Sequence, residues 1–376
     1  MFIHEQDGWP NFHWKQELLA LALGAVRQRQ GWLMGEMSAL GFELRDQADL
    51  ETLTQDVLKS SEIEGEHFDR EQVRSSIARR LGLEGGALSL PDRDIEGVVE
   101  MMLDATRHYD KPLTESRLFG WHTWLFPAGR SGMRSNKVGA WRDDRDGPMQ
   151  VTSGRYGRET VHFEAPAAER VGREMAIFLE WFNGPPEIDP VLKAALAHLW
   201  FVTIHPFDDG NGRIARVIAD MALARSENSP KRFYSMSTQI QQERGDYYRI
   251  LETTQKGTLD VTDWIQWFLR ALDQAFWTAT AQSTNVLRKA RFWETHAGET
   301  FNDRQTQILN RLLDGFKGKL TSSKWAKLAK CSQDTASRDI NDLLVRAILR
   351  KESAGGRSTN YSLLEPTLGG GQAIPT

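Results

Sequence analysis

His205-Pro-Phe-Asp-Asp-Gly-Asn-Gly-Arg-Ile-Ala-Arg216 is a loop that closes on two glycines and runs straight into a helix. Its reading sets the fold expected around it. Upstream, Asp189-Pro190 pairs a capping acid with a proline at a first helical position, and Leu192, Ala195, Leu196 and Leu199 repeat at helical spacing up to Thr203. Pro206 ends that helix. A second begins near Gly212, because Ile214, Val217, Ile218 and Met221 share one face and Asn228-Ser-Pro230 marks the exit. The loop therefore sits over a helix N-terminus, where unpaired N–H groups and the macrodipole favour an anion. Gly210 and Gly212 let backbone approach phosphate oxygens, and Arg213 and Arg216, three apart, form a cationic clamp. Asp209 supplies the single carboxylate needed to hold a Mg²⁺ that keeps most of its waters and bridges phosphates. His205 stands at the rim as a proton acceptor. Taken singly, a His-Pro pair is a loop histidine, Asp-Gly-Asn-Gly a turn and two arginines a solvated face. Their combination in twelve residues at one helix mouth points to a phosphate site.

The same window resembles the signature of the Fic family, His-Pro-Phe-x-Asp-Gly-Asn-Gly-Arg-x-x-Arg, without a departure. That resemblance implies a mainly α fold: a helical core with a small β-hairpin flap and a helical N-terminal extension. It implies a protein adenylyltransferase that moves AMP from ATP to a Ser, Thr or Tyr hydroxyl of a target protein, itself included, and releases pyrophosphate. His205 would be the general base and Asp209 the ligand of Mg²⁺, with Mn²⁺ as the alternative. Asn211, with the N–H groups of Gly210 and Gly212, would orient the α-phosphate; Arg213 and Arg216 would clamp the β- and γ-phosphates, and Phe207 would anchor the loop in the core. Phosphoryl-type transfer needs positioning and charge stabilisation above all, which agrees with these residue types.

Working outward, Asp46 to Ile63 has a helical pattern through Leu50, Leu53, Val57 and Leu58, with Gly65 as C-terminal cap. Counting back from Glu64, Ser60, Val57 and Leu53 fall on its side of the helix, so this carboxylate shares the apolar face. A negative charge at a helix C-terminus opposes the dipole by about 0.3–1 kcal/mol and needs a cationic partner. Ser60-Ser-Glu-Ile-Glu64-Gly65 is similar to the inhibitory motif of self-inhibited Fic proteins, Ser/Thr-x-x-x-Glu-Gly/Asn, which implies that Glu64 pairs with Arg216 and blocks the γ-phosphate position. A helix contributed by a second copy is the alternative to control within one molecule.

Before that motif, Trp14 to about Leu40 reads as one helix broken or bent near Gly31. After it, His67 to Tyr109 is helical with a glycine-rich break at 83–87 and a capped restart at Pro91-Asp92, and Leu118 to Phe126 is a short helix. Arg134 to Phe163 is rich in Gly, Arg and Asp, with β-like runs at 149–152 and 161–164 that read as a hairpin. It resembles the family's flap, whose edge takes an extended target segment by strand addition; Met149, Val151, Val161 and Phe163 are the docking residues this implies. Helices follow up to Gln255 and from Thr262 to Ala281.

Between Phe316 and Arg357 ten Lys or Arg stand against four Asp or Glu, in a chain whose net charge is −4. Helical runs at 303–314, 322–330 and 333–345 precede a strand, a glycine turn at 352–357 and a strand, and resemble a winged helix-turn-helix. DNA contact through 301–376 is one expectation; a protein-binding module is the other, since Asp334, Asp339 and Asp342 on the third helix would repel phosphates. The expected organisation is 1–110 for the N-terminal helical region with its inhibitory helix at about 46–65, 111–280 for the catalytic core, 281–300 for a helical connector and 301–376 for the winged helix.

With 47 Lys plus Arg against 51 Asp plus Glu, the chain is not a globally basic nucleic-acid binder. The single Cys331 excludes an internal disulfide framework. The uncharged apolar run at 194–204 is well short of the roughly 18–20 residues needed to cross a bilayer, so no membrane partner and a cytoplasmic protein are expected. Two rival functions remain at this stage: removal of AMP with Glu64 as base, and a DNA-binding regulator whose core only senses nucleotide.

Overall fold

The computed structural model describes residues 1–83, 92–131, 134–145, 147–155, 158–185, 187–313, 316, 318–352 and 359–364. The chain forms two compact units, Met1–Thr280 and Ala281–Thr376. After one turn of 3-10 helix at Ile3–Glu5, the first unit runs through α1 (Gln16–Ser38), α2 (Phe42–Ile63), α3 (Arg70–Arg80), α4 (Arg93–Arg107) and α5 (Glu115–Leu125). Two short antiparallel pairs follow, β1 (Arg130–Ser131) with β2 (Arg134–Ser135) and β3 (Gln150–Arg155) with β4 (Arg158–Glu164). Then come α6 (Ala168–Asn183), α7 (Pro190–Ile204), α8 (Asn211–Glu227), α9 (Met236–Gln242), α10 (Arg244–Gln255) and α11 (Thr262–Thr295), which opens in the first unit and ends in the second.

The first unit is built around α7 and α8. Apart from Pro190 and Lys193, every residue of α7 is buried, which is the behaviour of a helix that is apolar all round. Asp189 caps it by accepting from the Val191 N–H at 2.8 Å. α6 packs on α7, α4 and α2 pack on α8, and the Trp264 indole of α11 donates to the Ala195 carbonyl at 2.8 Å. α2 is held along one face by carboxylates: Asp49 accepts from Arg107 and from the Arg232 N–H, and Asp56 accepts from the Ser235 hydroxyl.

α1 runs through Gly31 as a helix, contrary to the expected interruption. Gly31 lies on the exposed face, while Leu19, Val26, Leu33 and Met37 are buried, and that tertiary stripe outweighs the roughly 1 kcal/mol helix penalty of one glycine. The β1–β2 pair is an addition to the expected hairpin. Residues 84–87, Pro91 and 353–357, on which the first glycine-rich break, the capped restart and the glycine turn were read, lie wholly or partly outside the described residues; Asp92 itself caps α4.

The second unit contains α12 (Asp303–Leu313), α13 (Ser322–Leu328), α14 (Gln333–Val345) and the antiparallel pair β5 (Leu349–Lys351) and β6 (Tyr361–Leu363), with a further bridge from Leu320 to Tyr361. Its core gathers Ile308, Leu309, Trp325, Ile340, Leu343 and Ile348. Thr321 and Ser332 cap α13 and α14.

Candidate functional site

The loop between α7 and α8 carries the site. His205 is the C-cap of α7 and adopts a left-handed conformation, φ 52° and ψ 57°, unusual for a residue with a Cβ. Arg142 holds it there: the guanidinium donates to the His205 carbonyl at 2.7 Å, and the Arg142 N–H donates to the Pro206 carbonyl at 2.9 Å. The His205 Nδ1 lies 3.2 Å from the Val202 carbonyl, so Nδ1 carries the proton and Nε2 is left as the lone-pair nitrogen. Burial, and to a smaller degree the Arg142 charge, push the imidazole down to about 4. It is neutral at pH 7, as a base must be.

Phe207 is fully buried and stacks on the His122 ring at 4.1 Å with 18° between planes. Asn211 accepts from the Phe207 N–H at 3.0 Å and donates to the Phe207 carbonyl at 2.8 Å. Both ends of its amide thus shape the loop, and its backbone N–H is what it offers an anion. Gly210 is the N-cap of α8 at φ 81°, and a Cβ there would come within 2.9 Å of the Phe126 ring. Asp209 accepts from the Gly210 N–H at 2.6 Å. The helix mouth therefore presents the turn geometry expected of an anion cradle.

Arg213 and Arg216 are nearly buried, with 4% and 2% of their side chains exposed. Each is engaged by the end of α2. Arg216 donates to the Glu64 carboxylate at 2.8 Å, to the Ser60 hydroxyl at 3.0 Å and to the Ser60 carbonyl at 2.9 Å. Burial lowers the Arg216 pKa, but the Glu64 charge and hydrogen bond, together with Tyr247 and Tyr248, outweigh it and the cation is reinforced. Glu64 is the C-cap of α2, and Gly65 turns the chain at φ 86°. The carboxylate of Glu64 reaches so close to α8 that a Cβ on Gly212 would stand 2.4 Å from it.

The second engagement was not foreseen. Arg213 donates to Glu66 at 2.6 Å and lies over the Phe126 ring at 5.2 Å. Burial pushes the Glu66 carboxyl up, opposed by Arg213 and reinforced by Asp209, Asp94 and Glu64.

A cavity of about 640 Å³ opens beside the loop, with His205, Glu64 and Gly212 on one wall and Val151, Ser153 and His162 of the hairpin on another. Val151 and Val161 are exposed, whereas Phe163 is buried and packs edge-on against Phe2 at 5.3 Å. Met149 precedes β3, and its carbonyl accepts from the Ala165 N–H at 2.9 Å. Of the four flap residues named from sequence, the two valines present side chains to solvent, and Phe163 fastens the hairpin to the body. Among the described residues, β3 and β4 form a strand pair only with each other; β4 also packs on α10, and its Glu164 carbonyl lies 2.8 Å from His4 Nε2.

Arg142, His122 and Glu66 are site residues that sequence reading missed. Only Glu66 carried a signal, an acid two residues beyond Glu64 past the Gly65 turn.

Comparison with known proteins places residues 112–223 on the Fic/DOC family model and residues 2–83 on a domain of unknown function, DUF4172. A protein adenylyltransferase Fic of Nematostella vectensis is 34% identical over 36% of this chain and 31% of its own length. The protein adenylyltransferase fic-1 of Caenorhabditis elegans is 32% identical over 29% of this chain and 21% of its own. The chain thus spans about a third or less of the curated relatives it matches. A Fic family protein from Desulfovibrio desulfuricans superposes with a TM-score of 0.51 at 22% identity, covering 94% of this chain and 97% of that one. A Fic-domain signalling protein from Bacteroides thetaiotaomicron gives 0.52 at 21%, covering 69% and 95%. These likenesses establish the fold.

Proposed function

From a chain whose residues 112–223 form a Fic/DOC domain, we propose a protein adenylyltransferase that transfers AMP from ATP to a protein hydroxyl and is held down by its own α2. The observation that carries this reading is the pair of buried arginines at the mouth of α8, each met by a carboxylate where phosphate charge belongs. In the reaction, an incoming Ser, Thr or Tyr hydroxyl gives its proton to His205 Nε2 as its oxygen bonds to the α-phosphorus. The bond from that phosphorus to the β-phosphate oxygen breaks, and pyrophosphate leaves. The α8 N-terminus, Arg213 and Arg216 stabilise the charge, and Gly210 and Gly212 admit the phosphates. Asp209 fits a hard cation that takes one protein carboxylate and completes its shell with water and phosphate oxygens, Mg²⁺ or alternatively Mn²⁺. Such an ion neutralises phosphate charge when bound.

Glu64 and Glu66 compete with the triphosphate for the same two guanidinium groups, so productive binding is reduced by the fraction of molecules in which α2 is released. The hairpin edge suits a target segment added as a strand, with Val151 and Val161 beside it. No helix among the described residues is long and apolar enough to cross a membrane. α13, α14 and β5–β6 support a winged helix-turn-helix for the second unit.

ATP labelled at the α-phosphate tests the reading against ATP labelled at the γ-phosphate. Protein should retain the α-label and never the γ-label, with one pyrophosphate released per AMP attached; retention of the γ-label would replace AMP transfer by phosphate transfer. Because Glu64 and His205 face the same cavity, the second reading is the reverse reaction, in which Glu64 activates water to remove AMP. It requires wild type, and not Glu64→Gly, to release AMP from a modified protein.

A further inference from the structure

A chain of three polar side chains, two on the hairpin and one on α10, goes unused in the proposed reaction. The Ser153 hydroxyl on β3 lies 2.6 Å from Nε2 of His162 on β4, and Nδ1 of His162 lies 2.9 Å from the Glu252 carboxylate on α10. A carboxylate only accepts, so Nδ1 is the protonated nitrogen and Nε2 accepts from the serine. Lys256 fixes the other Glu252 oxygen at 2.6 Å. Ser153 is therefore a hydroxyl aligned on an oriented imidazole, the arrangement that raises the nucleophilicity of a serine. It is exposed, and with His162 and Glu252 it lines the cavity that also holds His205 and Glu64.

We propose that Ser153 is a self-modification site, the acceptor of AMP from ATP bound at the α8 mouth of the same molecule. The inference rests on the adenylyltransferase reading. The Ser153 Oγ bonds to the α-phosphorus, its proton passes to His205 Nε2 across the shared cavity, the bond to the β-phosphate oxygen breaks, and pyrophosphate departs with the electron pair; His162 is a positioning residue that orients the hydroxyl. Glu252 is a positioning residue that fixes the His162 tautomer. A bulky AMP on Ser153 would then stand in the cavity beside the hairpin edge where a target segment enters.

The test uses the full chain carrying Glu64→Gly, incubated with ATP and Mg²⁺ and mapped by peptide mass. AMP is expected on Ser153 with a rate constant independent of protein concentration. Adding Ser153→Ala removes that label, Ser153→Thr retains it, and His162→Ala slows it by about a hundredfold because the hydroxyl is no longer oriented. Glu252→Gln moves the proton of the His162 ring from Nδ1 to Nε2, read by nitrogen NMR, and slows labelling; an unchanged tautomer overturns the role given to Glu252. AMP found elsewhere on the protein and never on Ser153 overturns the inference and leaves AMP transfer standing. A rate that rises with protein concentration overturns modification within one molecule. Neither AMP on the protein nor pyrophosphate release removes the adenylyltransferase reading, and the inference with it.

Discussion

In the proposed reaction His205 acts through the placement of one nitrogen. Its left-handed backbone is secured by Arg142, and its Nδ1 by Val202, so Nε2 is set without any help from a bound ligand. Because burial holds its pKa near 4, with Arg142 lowering it further and Asp209 and Glu64 opposing, the ring stays unprotonated through the mildly acidic range. A base with a depressed pKa loses activity only when the pH falls toward that value. In Glu64→Gly, whose substitution removes one of the opposing charges, the acid limb of kcat/KM is expected below pH 5.5, about a unit or more under an ordinary histidine. A limb at pH 6.5 in that profile would show a solvated ring. Arg142 lies 63 residues from His205 in the chain and sits in a loop without periodicity, so nothing local announced it.

At the scale of the element, α2 is an anchored rod that the proposed function also makes a lock. Its C-terminal end delivers Glu64 to Arg216 and Glu66 to Arg213, two locks on two clamps. Glu66→Ala is expected to raise AMP transfer by a few-fold on its own and to add to Glu64→Gly; a double variant no faster than Glu64→Gly would show that Arg213 is already accessible. Further back, the Asp56 carboxyl is pushed up to about 8 by burial and then by Asp220. A carboxyl whose folded pKa exceeds its unfolded value favours the folded state at low pH, and that advantage is lost as the pH rises through the folded pKa. Asp56→Asn lacks this loss. Its stability relative to wild type should therefore grow between pH 5 and pH 8, by up to about 1.4 kcal/mol per pH unit, in denaturant titrations. A gap that stays constant across that window would place an ionised Asp56 in the fold.

The same element shows what sequence could and could not disclose. The loop at 205–216 was readable because its phosphate-binding groups are contiguous, and Glu64 because an acid on the apolar face of a helix end demands a partner. α7 and α8 were legible from capping and periodicity. The pairing of Glu66 with Arg213 spans 147 residues, and the stacking of His122 on Phe207 depends on where α5 is placed; neither leaves a local pattern. The burial of Phe163 was equally hidden, since strand alternation gives two faces and only packing by Phe2 and His4 decides which is enclosed.

For the molecule as a whole, the two units carry different chemistry. In the second, Asp339 is directed inward to Arg304 and Asn302, and Asp342 accepts from Arg346 and Gln305, so two of the three aspartates expected to repel phosphate are already compensated. Lys324, Lys327 and Lys330 lie exposed at the α13 end. If that face takes DNA, the full chain should retard duplex DNA at low salt and release it as salt rises, in proportion to the phosphates neutralised; no retardation at low salt would remove DNA from the account. In the first unit, the proposed function comes down to a single competition, between the carboxylates of Glu64 and Glu66 and the phosphates of ATP, for the guanidinium groups of α8. The direct measurement is the initial rate of AMP incorporation by wild type, Glu64→Gly and Glu64→Gly with His205→Ala, at equal ATP and Mg²⁺. About tenfold or more acceleration by the first substitution and abolition by the second are predicted. Equal rates for wild type and Glu64→Gly, or transfer that persists without His205, would contradict it.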